Sequence, residues 1–524
     1  MNYIYSMIKA DYQQRTRNYS FLITLAITVF ATYSFIPSPD ASYTTFSIGK
    51  YQGIHNSAWV GHVTALMTTV MLSLYGFFLV NSGIKKDIET QVGQLIAITP
   101  ITNFHYLTVK LLSNFLLLFT ISAFTFLISI ALFLFRSQGY AFNLTDFAIP
   151  FLLLPLPAIF VVSAIAVAGE VFLPKSTVLQ SIVYIFLYGT IASSINNSHQ
   201  YTKKDAVTDL FGSRTVTNSI LNTVNTQFQT KENSVNIGYL FNNKIHQSFE
   251  WKGMTWPAIF IFSRLLWIAA ALLLVYISSF FFHRFDFEQR VSKKSKTKDM
   301  IIENLPVIIP EMINRAALPA IKTAYGIFPF IKIELLLLIR KGSVWLWVLN
   351  AGAWISLCFI PVSAAHLYVL PILWFLQVTR LSDLATKEKT NRLHYFTYAS
   401  YKPLLRMLPA QILAGTIGML VLALPVIIRY LISGDLFAAA SIINGAAFIV
   451  LLAVAMGIVS DGNKLFEIVF FLLTYAVIQK IPGTAYLGTV SANEPATHLL
   501  IFLLISASLA VISFAFRSYQ TRHL

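Results

Sequence analysis

The sequence has few charged residues and a single cysteine. Only 11% of its 524 residues are charged, whereas 56% are hydrophobic; a soluble domain carries about 25% charged residues. This composition excludes a disordered chain and argues against a soluble multidomain enzyme. The one cysteine, Cys358, lies inside an apolar run. An intrachain disulfide and a cysteine-based metal or iron–sulfur site are therefore excluded.

Motifs for nucleotide binding and hydrolytic catalysis are also missing. The chain contains no Gly-x-x-x-x-Gly-Lys-Ser/Thr loop, no His-Glu-x-x-His and no Gly-x-Ser-x-Gly. Any ATP hydrolysis must therefore belong to a separate subunit, and we expect this chain to be neither an enzyme nor a nucleic-acid-binding protein. No acidic residue lies at the centre of an apolar run, which disfavours a proton-coupled carrier.

Long apolar runs are what the sequence has in abundance, and a bilayer crossing needs about 20 such residues. Twelve runs are predicted to be membrane-spanning helices: 19–36, 58–80, 111–135, 147–168, 178–195, 256–282, 343–360, 367–379, 406–430, 437–459, 465–480 and 497–517. The net charge is +16. Placing the N-terminus in the cytoplasm leaves most lysines and arginines there, as the positive-inside rule requires. We expect a multi-pass protein of the cell (inner or plasma) membrane with both termini cytoplasmic.

Two segments of the chain resemble each other at an offset of 323 residues. Each is a short polar and apolar stretch that leads directly into a predicted span, and such a stretch is typical of a helix lying in the membrane interface. The alternative is two ordinary positive flanks before helices. The matching charged residues are Lys9, Asp11 and Arg17 in the first segment and Lys332, Glu334 and Arg340 in the second.

A second similarity follows the second span of each predicted half. The stretches 84–110 and 383–406 both place acids and bases ahead of a threonine, an aromatic residue and a base. The two similarities together predict two parallel six-span halves, a common construction among transporters. We expect the first half at 1–282 with a long external loop at 196–255, a basic cytoplasmic linker at 283–323, and the second half at 324–524.

The polar segment 84–105 has the features of an amphipathic helix outside the bilayer. Asp87 and Glu89 stand near its start, where a helix dipole favours acids, and Pro100 would end or bend a helix. Apolar residues at 92, 95 and 96 form a face that a solvated connection would not require. Either the segment is a solvated connection or it docks a cytoplasmic partner, and its duplication favours docking on a partner with two-fold symmetry.

The order of these elements resembles the permease subunit of type-2 ABC exporters. The motif Glu-x-x-x-Gly, Thr-Pro-Ile and Tyr-x-x-x-Lys corresponds here to Glu89, Gly93, Thr99 to Ile101, Tyr106 and Lys110. The chain is similar to a fused form with both halves in one polypeptide. The second half departs from the motif, because Thr397 is followed by tyrosine rather than proline.

The resemblance implies roles for particular segments. The stretches 84–100 and 383–399 would be coupling helices that contact two ABC-type ATPase subunits, and ATP with Mg would be bound by those partners, with no cofactor on this chain. The stretches 1–17 and 324–341 would be elbow helices in the lipid interface. Spans two, five, eight and eleven would face a central pathway. The implied docking residues are Asp87, Glu89, Gly93, Thr99, Pro100, Asp383, Glu388, Arg392 and Thr397.

The resemblance also implies that the link between the last two spans re-enters the membrane and gates the exit. That link is 481–496, with Pro482 and Gly483 as helix breakers. Arg264, inside the sixth run, either lines the pathway or bonds a backbone carbonyl near the outer interface.

Two rival functions remain open. The first is a twelve-span ion- or proton-coupled carrier. The second is a membrane enzyme that would use the cluster Asp383, Glu388, Arg392 and His394. An amphipathic or lipid-like cargo is expected for the exporter.

Overall fold

Helices make up most of the described chain, as the composition predicts. The computed structural model describes residues 2–38, 43–137, 139–174, 177–193, 201–230, 232, 235–241, 247–282, 326–341, 344–478, 483–488 and 495–522. The first-half helices are α1 (Asn2–Thr16), α2 (Tyr19–Tyr33), α3 (Ser57–Val80), α4 (Gly83–Glu89), α5 (Val92–Ala97), α6 (Asn103–Arg136), α7 (Thr145–Leu153), α8 (Pro155–Phe172), α9 (Thr177–Ser193), α10 (Lys203–Thr208), α11 (Ser213–Phe228) and α12 (Ala258–Phe281).

The helices after residue 326 also include long apolar helices and short polar ones. The basic linker predicted at 283–323 lies outside the described residues. The second-half helices are α13 (Phe328–Arg340), α14 (Val344–Phe359), α15 (Val362–Phe375, with a π-helical turn at Ala365–Val369), α16 (Val378–Ser382), α17 (Lys387–Thr390), α18 (His394–Tyr398), α19 (Pro403–Ile432), α20 (Leu436–Ser460), α21 (Lys464–Ile478) and α22 (Pro495–Arg522).

Seven helices in the described residues are long and apolar enough to cross a membrane. An eighth results if α13 and α14, which meet at a bend of 101°, form one span. The prediction of a helical multi-pass membrane protein is therefore confirmed, but twelve full-length spans are not. The other predicted spans form shorter helices: α2, α9, α14 and α21 have 15 to 17 residues each, and α15 is interrupted by its π-helical turn.

The burial of the long helices agrees with a lipid environment. The apolar windows of α3 and of α7 with α8 are 89% and 83% buried, whereas those of α12 and α22 are only 28% and 17% buried. A helix that is apolar all round and largely exposed is stable only where its surroundings are apolar too. α12 and α22 therefore supply lipid-facing surface, and α3 lies in the centre of the first half.

A four-stranded sheet corrects the all-α expectation. Its strands are β1 (Tyr43–Ile48), β2 (Tyr51–Gly53), β3 (Val235–Phe241) and β4 (Gln247–Phe249), in the order β3-β1-β2-β4. β1 pairs antiparallel with β2 and β3, and β2 pairs parallel with β4. The sheet, α10 and α11 form a folded cap, and we name the ends of the helices beside it the cap end.

Candidate functional site

At the end of the helices opposite the cap, which we name the loop end, a chain of charges joins α1, α4 and α6. Asp11 on α1 pairs with Arg15 at 3.1 Å and with Lys110 on α6 at 2.9 Å. Lys110 also pairs with Asp87 on α4 at 2.8 Å, and the Tyr106 hydroxyl donates to the Asp87 carboxylate at 2.7 Å. The predicted elbow helix and the predicted coupling helix are thus both fastened to the third span.

Asp11 owes its charge to these neighbours. Burial by itself would raise its pKa, but the charges of Arg15 and Lys110 and hydrogen bonds from Ser113 and Lys110 outweigh that effect and hold the pKa below the ordinary 3.8. Lys9 on α1 and Arg17, in the turn that follows α1, are exposed, whereas Arg15 pairs with Asp11 on the inner side. α1 therefore presents Lys9 outward and turns its acid inward.

The start of α4 is held by a carboxylate from α8. Glu170 accepts backbone N–H bonds from Gly83, Ile84 and Lys85 at 2.8, 2.8 and 2.9 Å. The first N–H groups of a helix have no partner within the helix, and a negative group there is favoured by the helix dipole. From the sequence, Glu170 is a lone acid at the end of the fourth apolar run. That position alone does not reveal that Glu170 caps α4.

The exposed surface of α4 and α5 includes several aliphatic side chains. Of the predicted docking residues here, Asp87 and Gly93 are buried, Thr99 is half-buried and Pro100 is exposed, while the Glu89 side chain lies outside the described residues. The Asp87 carboxylate is already paired with Lys110 and accepts from the Tyr106 hydroxyl, and its docking role stays a prediction. Four exposed side chains form what we name the aliphatic patch: Ile88, Val92, Leu95 and Ile98, which are 39%, 42%, 65% and 82% exposed.

The second half holds its polar segment differently. Glu334 on α13 is buried and pairs with Lys387 on α17, while Lys332 and Arg340 are exposed, so α13, like α1, turns its acid inward and a lysine outward. Asp383 pairs with Lys341 and accepts from Asn463.

Glu388 is buried rather than available for docking. Its carboxylate accepts from Gln411 Nε2 at 2.8 Å, and burial raises its pKa despite the nearby Lys387. Asp383 and Glu388 therefore contact different partners. The two acids of the four-residue cluster considered for an enzyme do not share a common contact.

The surface of this segment is aromatic. Arg392 is exposed, with a left-handed backbone at φ 57°, and Thr397 is half-buried. Exposed apolar and aromatic side chains around them form what we name the aromatic patch: Leu393, Tyr395, Phe396 and Tyr401, which are 51%, 63%, 79% and 58% exposed. Each half thus carries one apolar surface at the loop end.

Arg264 takes the carbonyl-bonding alternative rather than a place in a pathway. It lies on α12, is 3% exposed, and donates to the backbone carbonyls of Asp209 and, at 2.7 Å, Leu210. Its guanidinium also lies over the Phe260 ring at 4.1 Å. These contacts satisfy a buried charge and fasten the cap to the last span of the first half.

The turn at residues 483–488 lies beside the cap end and packs against α15 and α20. Gly483 is exposed with φ +80°, and Pro482 lies outside the described residues. Tyr486, by contrast, is 1% exposed, and its ring stacks 6.1 Å from that of Trp374 on α15. A Cβ on Gly445 of α20 would come within 2.7 Å of the Tyr486 carbonyl oxygen, so glycine permits this close approach.

A comparable turn exists in the first half. Leu210 and Phe211 are buried, and a Cβ on Gly212 would meet the Leu154 side chain at the start of α8. Gly212 and Gly488 both have a positive φ, at 71° and 88°, and each follows a pair of buried large side chains.

The two halves meet where α2 and α3 pack on α21, and α9 and α15 flank this contact. The rings of Phe78 on α3 and Phe471 on α21 lie 4.4 Å apart, and Phe375 on α15 lies 5.6 Å from Phe471. Phe77 stacks on Tyr184 of α9 at 4.0 Å. The helices α3, α21, α15 and α9 correspond to predicted spans two, eleven, eight and five. A cavity of about 170 Å³ lies beside this junction, between α2, α3, α6 and α21.

Comparisons with protein-family models, with curated proteins and with solved structures gave no match. Within the described residues no group of three or more His, Cys, Asp or Glu side chains is arranged to hold a metal ion.

Proposed function

We propose that this chain is the membrane permease of an ATP-driven exporter, built from two six-span halves and energised by separate ATPase subunits that dock at its loop end. The observation that supports this most is the pair of apolar patches at one end of the helices. Exposed apolar surface outside the lipid marks an interaction site, and one such surface in each half suits a partner with two equivalent subunits. The resemblance to type-2 ABC exporter permeases agrees with this arrangement.

In this proposal the contacts of α4 with α6 and α8 transmit movement of the ATPases to the spans. When two ATPases close on ATP and Mg, the segment carrying the aliphatic patch moves with them. Because Glu170 joins α4 to α8 and Lys110 joins it to α6, displacement of α4 is passed to two spans. The two halves then rock about their junction, which opens a path outward. In this proposal α3 and α21 are the pair of helices that slide past each other.

The apolar junction suits an amphipathic or lipid-like cargo. In this proposal the loop end and both termini are cytoplasmic, the cap is external, and the protein resides in the cell membrane. A proton-coupled carrier is less well supported, because Glu170, a buried acid at the end of a long apolar helix, accepts three backbone N–H bonds.

The docking claim is tested by placing one charge in each patch. Leu95 and Phe396 are 65% and 79% exposed, so Leu95→Asp and Phe396→Asp leave the fold intact. Burying an unpaired carboxylate in an apolar contact is costly, and each variant should weaken association with the ATPase at least about tenfold, which corresponds to 1.4 kcal/mol. Co-purification of the ATPase and ATP hydrolysis by the complex measure the effect.

The matched control is Gln13→Asp, which adds the same charge to the exposed side of α1 outside both patches. It should leave association unchanged. Full association of the ATPase with both patch variants would overturn the docking assignment.

A further inference from the structure

A narrow cleft, which we name the loop-end cleft, opens between the two halves at the loop end. Its first-half side includes Asn81, at the end of α3, and Thr177, at the start of α9. Its second-half side includes Thr379 on α16 and both Lys464 and Glu467 in the first turn of α21. Polar side chains of both halves therefore face one opening.

Aromatic rings continue the loop-end cleft toward the junction of the halves. Phe78 and Phe375 also line the cleft, and both rings contact Phe471 on α21. Phe78 precedes Asn81 by three residues and Phe375 precedes Thr379 by four, so each ring lies about one helical turn further from the loop end. The cleft is thus polar at its mouth and aromatic behind it.

Two opposite charges stand side by side at the mouth. Lys464 Nζ lies 2.9 Å from Glu467 Oε2, and the two side chains are 27% and 13% exposed. A pair of this kind on an open helix face contributes little to stability. Here the pair borders a cleft whose other wall belongs to the first half, and both charges can be reached from the mouth.

Two hydroxyl groups of the loop-end cleft are available to a ligand. Thr177 and Thr379 are half-buried, and neither hydroxyl bonds another described residue. Ser181, in contrast, donates to the Thr177 carbonyl at 2.9 Å, and the Asn81 amide donates to Gln180 at 2.9 Å. One uncommitted hydroxyl therefore lies in each half, together with the charge pair.

We propose that the loop-end cleft binds the zwitterionic head group of an amphipathic molecule, whose tail enters between the halves. A purely anionic head would meet the Glu467 carboxylate as well as Lys464, and a purely cationic head would meet the same two charges with the signs reversed. Each would gain one attraction and one repulsion. A head group with both charges gains two attractions, and the two hydroxyls can donate to its anionic oxygens.

The size of the cleft fixes where the head group lies. The enclosed space is about 10 Å³, which is room for one water molecule. The head group is therefore held at the mouth, and the tail enters as the halves move apart. The inference rests on the proposed exporter function, because it names the head group of the cargo, but it is tested without the ATPase.

Binding is measured on the full chain in an uncharged maltoside detergent, which contains no competing zwitterionic lipid. Three probes share one alkyl tail with a photoreactive diazirine and differ only in the head: a phosphocholine, a methyl phosphodiester and a trimethylammonium group. Photolabelled peptides are mapped, and competition by each unlabelled probe gives its affinity. The phosphocholine probe should bind at least about tenfold more tightly than the other two and label α3 and α21.

Single neutralisations should change the order of the three probes. Lys464→Gln leaves the carboxylate alone and should favour the trimethylammonium probe about tenfold over the phosphodiester. Glu467→Gln leaves the ammonium alone and should favour the phosphodiester to the same extent. Lys464→Glu combined with Glu467→Lys restores both charges and should restore the preference for phosphocholine.

The matched control is Lys389→Gln. Lys389 is 29% exposed and pairs with Asp461, outside the loop-end cleft, so its loss should leave the order of the probes unchanged. Equal binding of the three head groups by the parent chain, or an order that Lys464→Gln and Glu467→Gln do not alter, would overturn the proposal. Neither result bears on ATPase docking, which is scored by association of the patch variants.

Discussion

The two loop-end segments have the same elements but are held by different means. In the first half Asp11, Lys110 and Asp87 form a chain whose side chains are 13%, 6% and 12% exposed. In the second half the Lys341–Asp383 pair is 38% and 36% exposed, and Lys387, the partner of Glu334, is 25% exposed. The chain Asp11–Lys110–Asp87, which we name the first clamp, thus lies inside the protein. The pairs Lys341–Asp383 and Lys387–Glu334, which we name the second clamp, lie nearer its surface.

The partners differ in position as well as in burial. Lys110 belongs to a long apolar helix, α6, so the first clamp joins the loop segment to a span. Lys387 belongs to the loop segment itself, and that segment is joined to spans by Gln411 of α19, which donates to the Glu388 carboxylate at 2.8 Å, and by Arg517 of α22, which donates to the Ala385 carbonyl at 2.6 Å. We infer that the two docking sites transmit force through different helices and are not mechanically equal.

The largest expected effect comes from removing the inward acid of each elbow helix. Asp11→Ala removes the carboxylate paired with Arg15 and one of the two carboxylates paired with Lys110 in a buried setting, and we expect a loss of about 3 kcal/mol in the free energy of unfolding. Glu334→Ala should cost about 1 kcal/mol, because Lys387 can turn toward water. Thermal unfolding of the two variants in the same detergent measures the difference.

Lys9→Ala and Lys332→Ala serve as controls for these variants. Both lysines are exposed on the same helices, and each change should remain within about 0.5 kcal/mol of the parent. Equal losses from Asp11→Ala and Glu334→Ala would remove the distinction between the two clamps.

Smaller effects on stability, of opposite sign, are expected from neutralising Asp11 and Glu388, and these effects depend on pH. The pKa of Asp11 lies below 3.8 in the folded chain, so its contribution is present above pH 3.8 and is lost as the pH falls through the folded pKa. The pKa of Glu388 is raised above 4.5, so its contribution is present below pH 4.5 and is lost as the pH rises through the folded pKa. Asp11→Asn should therefore destabilise at pH 7, and Glu388→Gln should stabilise.

Unfolding curves between pH 7 and pH 4.5 separate these contributions. The gain from Glu388→Gln should shrink as the pH approaches 4.5, whereas the loss from Asp11→Asn should persist over that range. A gain from Glu388→Gln that does not change with pH would show that charge burial is not its cause.

Much of the helical framework could be predicted from apolar runs alone. The long helices α3, α12, α19, α20 and α22 begin and end within about five residues of the predicted spans, because a run of about 20 apolar residues has few other stable arrangements. The helix α6 contains its predicted span but begins earlier, at Asn103. The predicted spans at α2, α9, α14 and α21 were longer than the helices. The run from 19 to 36, for example, gives a helix that ends at Tyr33, shortly before Pro37, which cannot continue a helix.

Long-range pairing could not be predicted in this way. β1 pairs with β3 across nearly 200 residues, as Thr44 opposite Leu240 illustrates, and neither strand is marked by a local signal that names the other. The same limit applies to Asp87. Its position near a helix start is favourable for an acid, but that position does not reveal its pairing with Lys110 on α6. The carbonyl partners of Arg264, in contrast, were among the sequence expectations and are confirmed.

Native mass spectrometry of the chain, purified in mild detergent from its own cells, tests the central claim most directly. The account predicts one 58.8 kDa chain with two ATPase subunits that carry a Gly-x-x-x-x-Gly-Lys-Ser/Thr loop, and loss of those subunits from the Leu95→Asp and Phe396→Asp double variant. A chain that is repeatedly isolated alone, and that transports without ATP, would contradict it.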